Sequence, residues 1–237
     1  MKKLISLLLA LCMVFALCAC GNVSEQPLLL ATTVTEEKIN FKPGVVEGNT
    51  YSSEYLGIGC TMPEDWQIFT EDEIAAVMGY TEDLLDENGF DEVFEQGGTI
   101  CDYMSQGEDG LLSLNIQVAE TGNLVSALVY SKTTFPDEKT LKLIYDASLE
   151  EGVDTILSES LGLSDMSYEM GTVNFCEEEI PCIRMVGKMP IEGVGDINLY
   201  ETFVYIIKGR LCYTLTATSF MEDCTDDILG TFAYLEA

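Results

Sequence analysis

Nine cysteines, 41 aspartates and glutamates, 11 tyrosines and no histidine make up the side chains of this 237-residue chain that could do chemistry. Without imidazole, Ser-His-Asp triads, HExxH zinc sites and His-bearing zinc centres are excluded. Carboxylate, thiol, hydroxyl and phenol chemistry remains. No GxSxG elbow occurs, and SxxK is absent beyond the first 19 residues. Gly57-Ile58-Gly59 and Gly193-Val194-Gly195 lack the third glycine of a dinucleotide loop and read as turns. A paired-carboxylate hydrolase needs no histidine, but so many acids supply pairs by chance. A carboxylate-dependent cell-envelope hydrolase is therefore an alternative reading, not the leading one. The acidic clusters Glu71-Asp72-Glu73, Glu82-Asp83, Asp86-Glu87, Asp91-Glu92, Glu177-Glu178-Glu179 and Asp223 with Asp226-Asp227 offer hard oxygen ligands. Asp86-Glu87-Asn88-Gly89 lacks the alternating ligands and the glycine spacing of an EF-hand, so these acids read as solvated faces and helix starts. A divalent-cation-binding protein is the second alternative. No cofactor is expected. Trp66, the only tryptophan, could form an aromatic rim with Tyr51, Tyr55 and Phe69, although a lone Trp more often serves the core.

The balance of 11 basic against 41 acidic residues sets the formal charge at −30. A surface this acidic repels phosphate backbones, so no nucleic-acid partner is expected. A hydrophobic fraction of 47% is that of a folded protein, not a disordered acidic chain. At the N-terminus, Met1-Lys2-Lys3 precedes an apolar run from Leu4 to Ala19, broken only by Ser6. That run is shorter than the roughly 20 residues a permanent span needs, and its basic start marks an export signal. Its end, Leu17-Cys18-Ala19-Cys20-Gly21, resembles the bacterial lipobox. The resemblance implies cleavage between Ala19 and Cys20 and a diacylglyceryl anchor on the Cys20 sulfur. The membrane is then a partner through that anchor, and two acyl chains suffice for stable residence. Loss of Lys2 and Lys3 leaves nine cations against the same 41 acids.

Six cysteines remain beyond Cys20: Cys60, Cys101, Cys176, Cys182, Cys212 and Cys224. The absence of CxxC among them weakens thioredoxin-like and zinc-knuckle chemistry, and strand positions favour packing thiols. Cys176 and Cys182 are the pair to test for a disulfide, since Glu177-Glu178-Glu179 and Pro181 could turn the chain between them.

Three regions must position these groups: a signal segment at 1–19, a lipidated spacer at 20–49 containing Leu28-Leu29-Leu30, and one domain at 50–237. Thr50 to Met62 suggests two short strands, and Pro63-Glu64-Asp65-Trp66 a turn. Thr70 with Glu73 forms a capping box that opens a helix to Gly79. A second helical segment follows from Thr81. Thr99–Ser105 and Leu111–Ala119 read as a hairpin in which Leu112, Leu114, Ile116 and Val118 alternate with polar Ser113, Asn115 and Gln117. Pro136 starts the longest helix, to about Leu161. Strands follow at Ser167–Phe175, Ile180–Met189, Ile197–Ile207 and Leu211–Phe220, with a tight turn at Lys208-Gly209-Arg210. A closing helix runs from Thr225 through Ile228, Leu229, Phe232 and Leu235. Strands joined by short turns pair antiparallel. The class is α+β, a curved antiparallel sheet of about six or seven strands packed with helices.

The order of these elements, with Tyr55-Leu56-Gly57-Ile58, Met62-Pro63-Glu64-Asp65-Trp66 and Thr225-Asp226-Asp227-Ile228-Leu229, resembles small lipoproteins of Gram-positive anaerobes carrying a PsbP/Mog1-like domain, an αβα sandwich. The resemblance implies a binding or accessory role and carries over no binding residue. The expected protein is a non-catalytic, lipid-anchored lipoprotein on the outer face of the cytoplasmic membrane, with a partner in the cell envelope.

Overall fold

The computed structural model describes residues 41–78, 90, 93–94, 98–120, 135–150, 153–191 and 193–236. The signal segment, Ala19 and Cys20, Leu28-Leu29-Leu30, and the acids Glu82-Asp83, Asp86-Glu87 and Asp91-Glu92 lie outside them. No helix among the described residues is long and apolar enough to cross a membrane.

The chain is α+β, with two antiparallel sheets. The smaller contains β1 (Val45–Glu47), β2 (Thr50–Ser53), β3 (Ile58–Thr61) and, beside β3, β11 (Phe232–Tyr234). The larger has seven described strands: β4 (Gln67–Ile68), β5 (Thr99–Gln106), β6 (Leu112–Glu120), β10 (Leu211–Phe220), β9 (Gly195–Lys208), β8 (Glu178–Ile191) and β7 (Ser164–Phe175), in that spatial order. Its strands pair antiparallel throughout, as the short connections require for β5–β6 and for β7 through β10. The helices are α1 (Glu71–Met78), α2 (Glu138–Glu150), α3 (Val153–Leu161) and the short α4 (Thr225–Leu229).

Local chemistry accounts for most boundaries. Before α1 the Thr70 amide donates to Glu73 Oε2 at 2.9 Å, and the Glu73 amide to Thr70 Oγ1 at 3.3 Å. This reciprocal box satisfies two donors left orphaned by the helix start. Asp137, not Pro136, caps α2: its Oδ1 accepts the Thr140 amide at 2.8 Å. The single long helix read from the sequence is two helices, with residues 151–152 outside the described set.

Two expectations fail for tertiary reasons. Residues 41–49, read as spacer, belong to the domain: Phe41 meets Phe94 edge-on with ring centroids 5.6 Å apart, and Val45–Glu47 pairs with β2. The closing helix stops at Leu229. Phe232 then joins β11, opposite Cys60, and stacks on Phe175 at 4.8 Å. An extended chain seats Phe232 in the core and closes the edge of β3, which outweighs the helical spacing of Ile228, Phe232 and Leu235.

Both faces of the large sheet are covered. One packs on the small sheet and α4 through Leu114, Ile116, Val118, Leu215, Val204 and Tyr51. The other carries α2 and α3 through Leu141, Ile144, Leu157 and Leu161, against Ile183, Met185, Leu199 and Phe203. A smaller cluster of Phe69, Ile74, Cys101 and Met104 seats α1.

Candidate functional site

Two acids interrupt the apolar strands of the large sheet: Asp102 within Ile100-Cys101-Asp102-Tyr103-Met104, and Glu201 ahead of Thr202-Phe203-Val204-Tyr205-Ile206. Glu201 is fully buried and Asp102 half-buried, and they face opposite layers.

Asp102 sits at a register shift between Cys101 and Tyr103, a bulge in β5 that breaks the alternation and brings its carboxylate toward the small sheet. Tyr51 Oη donates to Asp102 Oδ2 at 2.6 Å, and the Gly44 amide donates to Oδ1 at 2.9 Å. Gly44 is required by close approach, because a Cβ there would overlap the Tyr51 ring. Burial raises the Asp102 pKa, opposed by these two hydrogen bonds. Tyr51 is pushed well above the usual phenol range by burial and by the adjacent Asp102 carboxylate. Tyr103 lies against Tyr51, with ring centroids 4.8 Å apart. Tyr213, also raised chiefly by burial, lies 6.3 Å from Tyr55, over whose ring Lys208 Nζ stands at 4.3 Å. Lys208 also donates to the Tyr55 carbonyl, and burial lowers its pKa.

On the helix-facing side, directly opposed residues on neighbouring strands share a face, so the pairing defines rows across the sheet. One row is Gln106, Ser113, Thr218 and Glu201; the next is Met104, Asn115, Thr216 and Phe203; a third is Cys101, Gln117, Thr214 and Tyr205. Every polar member of these rows is buried. Thr218 Oγ1 donates to Glu201 Oε1 at 3.1 Å, while Glu201 Oε2 has no hydrogen-bond partner among the described residues. Burial pushes the Glu201 pKa up to about 8, offset in part by the Thr218 hydroxyl. Glu201 is therefore mostly a neutral acid at pH 7. On the opposite side of these strands stand Leu114, Ile116, Val118, Leu215 and Ala217.

A third polar group joins α4 to the sheet. Arg184 Nη2 donates to the Thr172 carbonyl at 2.9 Å and to both Asp226 oxygens at 2.7 and 3.0 Å. Its Nη1 reaches Thr202 Oγ1 at 3.3 Å, and Thr202 shares a 2.8 Å hydroxyl contact with Thr225. Asp223 Oδ1 accepts from both the amide and the hydroxyl of Thr225. This arrangement clasps an element in place and presents no reacting group.

The six described cysteines are free thiols, Cys224 half-buried and the rest buried. Burial pushes the thiols of Cys60, Cys101 and Cys176 up to about 12 and that of Cys182 to about 11, so all four stay protonated and poorly nucleophilic at neutral pH. The expected Cys176–Cys182 disulfide is not formed. Cys176 and Glu177 are themselves the hairpin turn, with φ of 51° and 63°, and β8 resumes at Glu178 opposite Phe175. Cys182 pairs with Gly171, well down the ladder, because the two-residue turn fixes the register.

The aromatic rim does not assemble either. Tyr51 is committed to Asp102 in the core beneath the small sheet, whereas Phe69 lies in the cluster under α1; Trp66 is half-buried at the edge of the first core. Of the acids, Glu73 is spent on its cap, Glu179 accepts from Thr172 at 2.7 Å and Glu178 from Tyr234 at 3.2 Å. No group of three or more Cys, Asp or Glu residues that could hold a metal ion occurs among the described residues. Gly193 and Gly195 have positive φ in the β8–β9 turn, as the sequence implies.

Asp102 and Glu201 escaped the sequence reading because each looked like one more acid among 41. The available signal was an acid inside an apolar strand, together with the Thr214-x-Thr216-x-Thr218 alternation. No protein-family model and no curated protein matches the chain.

Proposed function

We propose that the protein is a lipid-anchored, extracytoplasmic binding or accessory protein of the bacterial envelope, without catalytic activity of its own. The observation that carries this reading is Cys20 in Leu17-Cys18-Ala19-Cys20-Gly21, behind a short basic and apolar leader. The site geometry supports the non-catalytic half. Paired-carboxylate hydrolysis places two carboxyl groups on either side of one scissile bond. The two acids with raised pKa here, Asp102 and Glu201, face opposite layers of the same sheet and cannot share a substrate. The four thiols pushed up to about 11 or 12 are poor nucleophiles at neutral pH. The PsbP/Mog1-like assignment belongs to this proposal as well; the seven-stranded sheet with a helical layer on one face fits it, while the second sheet on the other face departs from a plain αβα sandwich.

The test is membrane fractionation with metabolic fatty-acid labelling of the full chain and of Cys20→Ser, followed by crosslinking and pull-down. The expected result is label and membrane residence lost in Cys20→Ser, with a crosslinked envelope protein recovered only from the anchored form. Equal labelling of both forms would overturn the anchor, and turnover of a glycan or peptide by the purified protein would overturn the non-catalytic role.

A further inference from the structure

Glu201 occupies an unusual place for an acid. It lies in the middle of β9 between Leu199 and Phe203, opposite Met185 on one side and Thr218 on the other, inside the core that α2 and α3 roof. One oxygen has the Thr218 hydroxyl; the other has nothing among the described residues. Along the same row beyond Met185 stands Tyr168 on β7, whose hydroxyl donates to Asp154 Oδ1 of α3 at 2.8 Å. Tyr145 of α2 packs on Tyr168 with ring centroids 5.4 Å apart. The groups nearest Glu201 along its row are thus the Thr218 hydroxyl, the Met185 thioether and the Tyr168 phenol, with Asp154 and Tyr145 held on the far side of Tyr168.

The described cations of neighbouring elements are directed elsewhere: Lys139 of α2 is exposed, Lys208 at the end of β9 donates to the Tyr55 carbonyl, and Arg210 pairs with Glu120. Arg184 and Lys188 take the alternate positions of β8, on the opposite side of the sheet, where they pair with Asp226 and Asp165. Lys142 of α2 pairs with Asp146 at the solvent surface. A negative charge on Glu201 would therefore meet no counter-charge among the described residues. Burying an uncompensated charge is costly enough that structure rearranges or the group stays neutral.

We infer that Glu201 is a proton-controlled latch: as a neutral acid it lets α2 and α3 lie closed on the sheet, and on losing its proton it loosens that layer. The proton is the ligand, and the bistable element is the two-helix roof. Glu201 is pushed up to about 8 in the closed state, against an ordinary carboxylate value in an opened, hydrated state, so the hold on the helical layer weakens progressively from about pH 4.3 and is fully lost by about pH 8.

Amide hydrogen exchange on the full-length chain in detergent tests this, comparing about pH 6 with about pH 8 after correction for intrinsic exchange. In the wild type, peptides covering α2 and α3 should lose protection by about tenfold or more, while those covering β6 and β10 change less. In Glu201→Gln, which is neutral at both pH values, the helical loss should disappear. Should Glu201→Gln fail to fold by circular dichroism, Glu201→Met gives the same readout. Helical protection independent of pH in the wild type, or an equal loss in wild type and the neutral variants, would overturn the latch.

Discussion

Tyr51 and Asp102 show how one hydrogen bond becomes expensive to remove. Buried Tyr51 brings its hydroxyl to the carboxylate at 2.6 Å, and the Gly44 amide donates to the same carboxylate at 2.9 Å. Tyr51→Phe should destabilise the fold by about 1.5–3 kcal/mol, the range for hydrogen bonds to charged groups, read as a lower urea midpoint with unchanged slope. Gly44→Ala should cost at least as much, through overlap with the Tyr51 ring. Thiol reactivity is decided at the same scale. Iodoacetamide at mildly alkaline pH should label half-buried Cys224 well ahead of the five buried cysteines, and denaturant without reductant should expose all six to alkylation. Intact mass reads both outcomes. A pair resisting alkylation until reduced would contradict the free thiols.

The elements carry a different kind of information. The β7–β8 turn places a non-glycine residue, Glu177, at φ 63°. Left-handed backbone costs an L-residue about 1–2 kcal/mol, and glycine returns part of that through unfolded-state entropy. Glu177→Gly should therefore raise stability by about 0.5–1 kcal/mol, visible as a higher melting temperature. Element existence was largely legible: the Thr70–Glu73 box, both hairpins and the four long strands fall where residue pattern puts them. Burial was not. Ser113, Asn115 and Gln117 alternate with Leu114, Ile116 and Val118 as a half-exposed hairpin would, yet both faces are covered. Alternation distinguishes two faces but does not say what lies over each one. Phe232 fails for a related reason, since its helical spacing is overruled by a partner strand far away in sequence.

At the scale of the whole molecule, charge and protonation set the response to conditions. The folded pKa of Glu201 lies above its unfolded value, so folding takes up a proton there. Its contribution is fully present below the ordinary carboxylate range of about 4.3 and is lost as pH rises through about 8. Stability measured by urea unfolding should fall across this window, with a shallower slope in Glu201→Gln. With 11 cations against 41 acids, self-repulsion opposes the compact state. Raising salt from about 0.01 M to about 0.15 M shortens the screening length from roughly 30 Å to 8 Å and should raise the melting temperature.

The sequence by itself determined what depends on composition and local pattern: the missing imidazole chemistry, the acidity, the expectation of export and lipidation at Cys20, the α+β class and most strand positions. Tertiary structure alone decided which polar groups are sealed. A strand's period of two assigns side chains to faces, but only the layers packed against those faces fix the dielectric each carboxyl and thiol experiences. That is why Asp102 and Glu201, unremarked among 41 acids in the chain, become the two that matter once the sheet has a covering on each side.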